Sequence, residues 1–438
     1  MRPHHRTRVS RSSPRPAALA CLALTLAGAC GGTADRLLSV TTPSRLGASQ
    51  YLVPQNAALI TASAVADFEC AFGAYVVSSG LTSGELADAS QTAARWSLDR
   101  RDFLPTDALY STGDCTALGT YTPINTARFT ADQAYAAIAG WTDAQVADRQ
   151  RLLGTSALYA GYSLVLLGEG FCSGSINGGP ELTSAQLLDS AEARFTAALT
   201  AAAAMPASDT LSRTIINASY VGRARVRLDR GNKTGAADDA GKVPLAFVLN
   251  ATTAPNNPRR VNRVYAQNGT GNGGVTVGVA YRSLTVQGVA DPRVKVVDAN
   301  TLASDQANRI FRAQKYTGLD APIPIATGVE ARLILAEAQG AASGVGIINA
   351  LRARAGVALP PLTAAEAADF QNTVLEERRR ELFLQGNRLF DLRRANLTPV
   401  PAPGTSYPAG GVNSKGGVYA AQLCYPLPDA ERAANPNL

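Results

Sequence analysis

Residues 373–394 read TVLEERRRELFLQGNRLFDLRR, and they follow GVEARLILAEA at 328–338 and INALRARAG at 348–356. In the longest of these stretches Leu375, Leu382 and Leu389 fall at heptad spacing, with Val374 and Phe390 beside them, which predicts one apolar helix face. Glu376 and Arg380 stand four residues apart with the acid first, the favourable order for a helical ion pair. The charge run then reads as a solvated or ion-paired face, not as a catalytic carboxylate site.

The same spacing recurs upstream. Leu152, Leu153, Ala157, Ala160, Gly161, Leu164 and Gly168 mark one helix, and Leu187, Ala191, Phe195 and Leu199 mark a second between Ser184 and Ala203. Ala218, Gly222, Ala224, Val226 and Leu228 mark a third between Ser212 and Arg230, leading into an Ala-rich stretch from Thr234 to Gly241. Val329 to Gln339 followed by Val345 to Ala355 repeats the theme. Helix, break and second helix, with small residues where a neighbour approaches, is the pattern of a tetratricopeptide-like array. A generic helical bundle would share that periodicity.

The segment from about 254 to 326 is loop-rich. Val261–Gln267 and Val275–Val286 suit short strands. The Gly-rich link between them contains a literal GxGxxG at Gly269, Gly271 and Gly274, but a dinucleotide fingerprint must run from strand to helix, so a hairpin turn is predicted. The expected class is mostly α, with tetratricopeptide-like helix pairs, long loops and a few short β-hairpins.

At the other end of the chain, Arg2, Arg6, Arg8, Arg11 and Arg15 precede an apolar run from Ala17 to Ala29, so residues 1–29 read as a signal peptide. The run is shorter than the roughly 20 apolar residues of a membrane span, and no later segment looks long and apolar enough to replace it. Ala27-Gly28-Ala29-Cys30 resembles a lipobox, with Gly31 to Ala34 as a tether; Cys30 is therefore expected to be lipidated. Simple secretion, with Cys30 merely past the cleavage site, is the alternative.

Losing the leader changes the chemistry available. It holds five of the 41 Lys and Arg and none of the 34 Asp and Glu, so the remainder carries 36 positive against 34 negative groups. No basic block remains to bind nucleic acid. Both histidines, His4 and His5, leave as well, which excludes a Ser-His-Asp triad, a Cys-His pair and any histidine-containing metal site. No metal and no cofactor are expected. Hydrolysis of glycosides by two carboxylic acids survives in principle. Cys21 goes with the leader, and Cys70, Cys115, Cys172 and Cys424 remain without CxxC spacing. An even number in an oxidising compartment points to two disulfides with three possible connectivities, against four buried thiols.

The three C-terminal stretches in their order, with KYTGLDAPIPIATGVEARLI at 315–334 and LCYPLPDAERAANPNL at 423–438, resemble the C-terminal signature of the SusD/RagB family over about 315–438. The resemblance implies a SusD-like helical domain over residues 30–438, built on four tetratricopeptide-like pairs. Residues 150–248 and 328–356 would supply three pairs, and 127–141 would contribute to the first. It further implies a non-enzymatic outer-membrane lipoprotein, facing the cell surface, that binds a glycan or other small nutrient and passes it to a SusC-like TonB-dependent transporter. Acidic residues soon after the lipidated cysteine accompany surface export in many such proteins; here the first is Asp35.

Sugars present apolar ring faces and hydroxyl edges, so aromatic platforms beside Arg, Asn and Asp are the residues to seek. Residues 82–126 contain Trp96 and Arg95, the first choice, then Tyr110 and Tyr121, near Asp99 and Asp107. Trp141, Tyr159 and Tyr162 lie in Ala-rich helical sequence and read as packing residues. A helical-repeat scaffold for a protein partner and a carboxylate-dependent glycoside hydrolase are the competing functions.

Overall fold

The computed structural model describes residues 48–438, apart from 207, 272 and 410–414. Residues 52–438 form one unit; of the other, residues 1–51, only the helical turn Ala48–Tyr51 is described. The leader, Cys21 and Cys30 lie outside the described residues.

Ten helices organise the larger unit: α1 (Ala57–Ser83), α2 (Tyr121–Ala139), α3 (Arg149–Gly170), α4 (Ser184–Ala203), α5 (Thr210–Asp229), α6 (Lys233–Gly241), α7 (Gly328–Gln339), α8 (Ala341–Ala353), α9 (Phe370–Glu381) and α10 (Arg388–Arg394). Their starts are written locally. Thr183 and Gln186 form a capping box on α4, Asp209 caps α5, Asn232 caps α6 and Thr327 caps α7. The first eight helices pack as α1/α2, α3/α4, α5/α6 and α7/α8, and α1, α3, α5 and α7 each touch the next. That is the tetratricopeptide-like arrangement, with four pairs.

Small residues set the spacing. The Phe195 ring of α4 wedges between Gly161 of α3 and Gly222 of α5, and a Cβ on Gly222 would stand 2.3 Å from that ring. Tyr162, edge-on to Phe195 at 4.9 Å, donates its hydroxyl to the Ala218 carbonyl at 2.7 Å. Tyr159 is buried as well, so both tyrosines are packing residues. Trp141 is not on a helix: it follows the end of α2 and is half-exposed.

Helix α1 corrects one expectation, since with the turn before it, it is long and apolar enough to cross a membrane by length and composition. Every residue from Phe68 to Ser83 is buried, under α2, α3 and α10. It is thus the central core helix of this unit.

The 373–394 stretch is not one helix. Helix α9 stops at Glu381, Leu384 and Gly386 take positive φ of 56° and 84°, and α10 begins at Arg388. The elbow's polar backbone is claimed from outside: Glu85 accepts from the Leu384 amide at 2.8 Å, and Lys315 and Tyr316 donate to the Phe383 and Leu384 carbonyls at 2.6 and 3.0 Å. Those bonds satisfy groups that a continuous helix would have satisfied internally.

Through this elbow the charge run is buried against the inner helices. Arg225 of α5 grips Glu169 of α3, with one bond of 2.6 Å, and lies 3.6 Å from Glu330 of α7. Asn387 adds an amide to Glu330, and Arg393 donates to the Glu169 carbonyl at 2.8 Å. Arg394 pairs with Glu337 of α7 and Asp391, and Arg378 of α9 pairs with Asp391 at 3.0 Å. Burial alone would raise the Asp391 carboxyl; Arg378 and Arg394 hold it well below its ordinary range. A second network joins Arg293 to Asp291, Glu377 and Glu381, and Arg352 to Glu377 and Glu366. The expected Glu376–Arg380 pair forms at 2.6 Å.

Short strands fasten the loops: β1 (Leu86–Asp88), β2 (Val248–Ala251), β3 (Val275–Val277), β4 (Val296–Leu302), β5 (Arg309–Ala313) and β6 (Ile323–Thr327). β1 pairs antiparallel with β3, β2 with β6, and β4 with β5 as a hairpin. The segment read as a strand at 261–267 is instead the helix Arg263–Asn268, because the Asn262 side chain caps it through the Tyr265 amide. The Gly-rich link therefore runs from helix to strand, and β3 takes its partner from 86–88. Cys70 is bonded to Cys115, tying α1 to the loop before α2, and Cys172 to Cys424, tying the end of α3 to the C-terminal segment.

Two outcomes follow from these buried charges. Asp391→Ala, which removes the carboxylate shared by Arg378 and Arg394, should destabilise the fold by about 3–5 kcal/mol in chemical denaturation, whereas Lys242→Ala, which breaks an exposed pair with Asp238, should cost far less. Burial raises Glu85 to about 7. A carboxyl raised on folding contributes stability below its unfolded value that is lost as pH climbs through the folded one. Glu85→Gln should therefore melt close to wild type near pH 4 and above it at pH 8, by the order of 2 kcal/mol; equal melting at both pH values would refute the assignment.

Candidate functional site

Arg95 and Trp96 sit together where the loop after β1 turns into the short helix Trp96–Arg100. The Trp96 indole N–H donates to the Ser90 carbonyl at 3.2 Å, and the side chain is half-buried. This fixes the ring without hiding it. Arg95 is committed inward: its Nε lies 3.2 Å from Asp88, Nη1 donates to Gln267 at 3.0 Å and Nη2 to the Gly274 carbonyl at 3.3 Å. It binds the Gly-rich link to β1 and so supports the corner.

Beneath Trp96 lies a buried charge cluster. Asp88 accepts from the Ser90 amide and hydroxyl and pairs with Lys415 at 2.9 Å; Lys415 also pairs with Asp305 at 3.0 Å. The Lys415 ammonium stands 5.7 Å from the Trp96 ring centroid and 5.6 Å from that of Tyr407. Asp99 accepts from the Asp88 amide at 2.8 Å, and burial raises its carboxyl to about 7. Lys415, Asp305 and Tyr407 were not legible as members of this corner, because they lie more than 200 residues from Trp96 and carry no local pattern. Among the described residues no group of three or more His, Cys, Asp or Glu is placed to hold a metal ion.

The two tyrosines go elsewhere. Tyr110 is fully buried, stacked on Tyr425 at 5.5 Å, with its hydroxyl donated to the Leu104 and Pro426 carbonyls. It offers no ring face to a ligand, which corrects its selection as a platform. Its aromatic neighbours Phe103, Phe171 and Tyr425 form the core at this end of the unit. Tyr121 opens α2 and is 4 % exposed, packed edge-on against Phe171. It lines a separate cleft of about 330 Å³ with Asn125, Phe129, Asn177 and Glu431. Burial, and then the Glu431 carboxylate, push its hydroxyl well above the ordinary phenol range.

The C-terminal residues hold one wall of that cleft. Asn177 and Gly178 adopt left-handed φ of 55° and 68° in a turn over Ile176–Gly179. Asn435 donates to Ser175 Oγ and the Gly179 carbonyl at 3.0 and 2.8 Å, and Asn437 donates to the Gly178 carbonyl at 2.7 Å. The closing Asn-Pro-Asn thus clamps the turn.

A further cavity of about 290 Å³ is lined by Phe247, Val329 and Val357 together with Arg293, Lys315, Arg354 and Glu381. Its charges are held by one another and by the elbow: Arg354 pairs with Glu381 at 2.6 Å, and Lys315, lowered to about 8 by burial, donates to the Phe383 carbonyl.

Residues 329–438 match the family model of the SusD family. In fold the chain is similar to a SusD-like carbohydrate binding protein from Bacteroides vulgatus, at 16 % identity over 88 % of this chain and 97 % of that one, with a TM-score of 0.65. It is similar to a SusD superfamily protein from Parabacteroides distasonis, at 14 % identity over 90 % and 99 % of the two chains, with a TM-score of 0.66. Surface glycan-binding protein A from Bacteroides thetaiotaomicron, solved in complex with laminarihexaose, aligns at 14 % identity over 87 % and 98 % with a TM-score of 0.61. No curated protein matches the chain. At these identities the structural likeness is one of fold. In the sequence of its C-terminal quarter, and in its fold across most of the chain, the protein is SusD-like.

Proposed function

We propose that this chain is an outer-membrane lipoprotein, anchored through Cys30 and facing the cell surface, that binds a glycan or other small nutrient and delivers it to a SusC-like TonB-dependent transporter. The observation that carries the binding part is Trp96, a half-buried ring held by a hydrogen bond to Ser90 and backed by a buried ionic cluster. A platform held in place before the ligand arrives loses little side-chain freedom on binding. The solved neighbour in complex with laminarihexaose supports a glycan as the ligand class. The anchor, the membrane face and the transporter rest on the leader and on the family likeness.

The competing functions fit less well. A glycoside hydrolase needs two acids across an open cleft. The acids nearest Trp96, Asp88 and Asp99, are 0 % and 1 % exposed and are bound to Lys415, Ser90 and the Asp88 backbone. A tetratricopeptide scaffold would take a partner along its inner helices, and here α10 makes buried ion pairs with α5 and α7 and donates from Arg393 to the Glu169 carbonyl of α3.

A glycan array probed with wild-type protein and with Trp96→Ala separates these readings. The expected result is a restricted set of bound glycans that the variant holds at least about ten-fold more weakly, a loss of order 1.4 kcal/mol. Equal binding by both proteins would reject Trp96 as the platform. Release of reducing ends from a bound glycan would replace the binding function with a hydrolase.

A further inference from the structure

We infer that the cleft at the start of α2 is a second binding site, for a single neutral sugar ring or similar polyol, separate from the Trp96 corner. Its walls are the first two turns of α2, the Ile176–Gly179 turn and the short helix Asp429–Ala434. At about 330 Å³ it lies at the small end of the range for small-molecule sites.

The side chains that line it divide into a face and an edge. Phe129 presents an apolar ring that is 47 % exposed, on a protein where most aromatic rings are buried. With it in the lining are Asn125, one helical turn before it, and Glu431, both partly exposed, and Asn177, which is exposed. The Asn177 amide oxygen accepts from Arg128 at 2.8 Å, which fixes its orientation. Asn125 donates to the Tyr121 carbonyl at 3.2 Å. An apolar ring beside amides and a carboxylate suits C–H groups stacked on the ring and hydroxyls bonded at its edge.

The floor supplies an independent pointer. The Tyr121 hydroxyl is buried with no hydrogen bond of normal geometry, although Glu431 and Asn125 stand close enough to act on its titration. Arg128, 3 % exposed, also lines the cleft, and its Nε is likewise buried without a partner. Buried polar atoms are usually paired, and two of them lining one cleft give a hydroxylated ligand a place for a shared hydrogen-bond partner. A ligand hydroxyl seated between Asn125 and Glu431 would supply one. The lining charge is one cation and one anion, with Arg128 already paired to Asp132 at 3.2 Å, so a charged ligand gains nothing over a neutral one.

Saturation-transfer NMR on the full chain, with glucose, galactose, mannose and xylose offered singly at millimolar concentration, tests the site. At least one sugar should receive saturation from wild type and equally from Trp96→Ala, and should lose about ten-fold or more in affinity with Phe129→Ala and Tyr121→Phe. Tyr121→Phe should melt no lower than wild type, because its hydroxyl has no bond to lose. Transfer to none of the four sugars, or transfer that survives Phe129→Ala, overturns the site. So does a lowered melting temperature for Tyr121→Phe, which would give the hydroxyl a structural partner. A signal lost with Trp96→Ala and kept with Phe129→Ala would place the sugar at the first corner, overturning this site alone.

Discussion

The structure depends on one buried ionic line, Glu169–Arg225–Glu330, which runs across α3, α5 and α7, and on the elbow residues that close over it. Charges removed from water are costly unless every one finds a partner. Here each inner helix brings an incomplete set: α3 brings an acid, α5 an arginine and Asp229, and α7 two acids. Arg378, Asp391, Arg393 and Arg394 complete it from a stretch about 150 residues further along than α5. The specificity of helix order follows from this complementarity, since apolar helix faces alone would pack in several ways.

The rest of the fold arranges surface features around that frame. Helix α1 gives the core its axis, and its end delivers Glu85 to the elbow and β1 to the Gly-rich link. From β1 the chain turns directly into the Trp96 corner. At the far end of α3, the disulfide at Cys172 and the clamp by Asn435 and Asn437 hold the turn that walls the α2 cleft. Both candidate binding regions are therefore built on loops whose two ends are fixed by buried bonds, which is how a rigid scaffold presents variable chemistry.

The helical pairs were legible because their signal is local and repeated. Phe195 with Gly161 and Gly222 shows in sequence as one large side chain among small ones, and it is that wedge in space. The break at Leu384 was not legible: the leucines keep heptad spacing through it, and the positive φ is imposed by Glu85, Lys315 and Tyr316 from remote parts of the chain. The 261–267 segment was misread for the opposite reason, a local one, because its Val and Tyr content outweighed the cap at Asn262. At the sites, Trp96 was visible as a lone large aromatic among polar neighbours. What lay beneath it, Lys415 and Asp305, depends on long-range pairing. Tyr110 and Tyr121 looked alike in sequence and differ only because one is enclosed by Phe103, Phe171 and Tyr425 while the other meets a cleft.

Repeat arrays are ordinarily one-dimensional: each unit touches its neighbours, and stability accumulates unit by unit. The elbow removes that property. By bonding α3, α5 and α7 at once, Asn387, Arg393 and Arg394 make the energies of three repeats depend on one another. What a solenoid gains in modularity this arrangement exchanges for coupling between units, and the loops that leave those helices start from a shared, cross-bonded base.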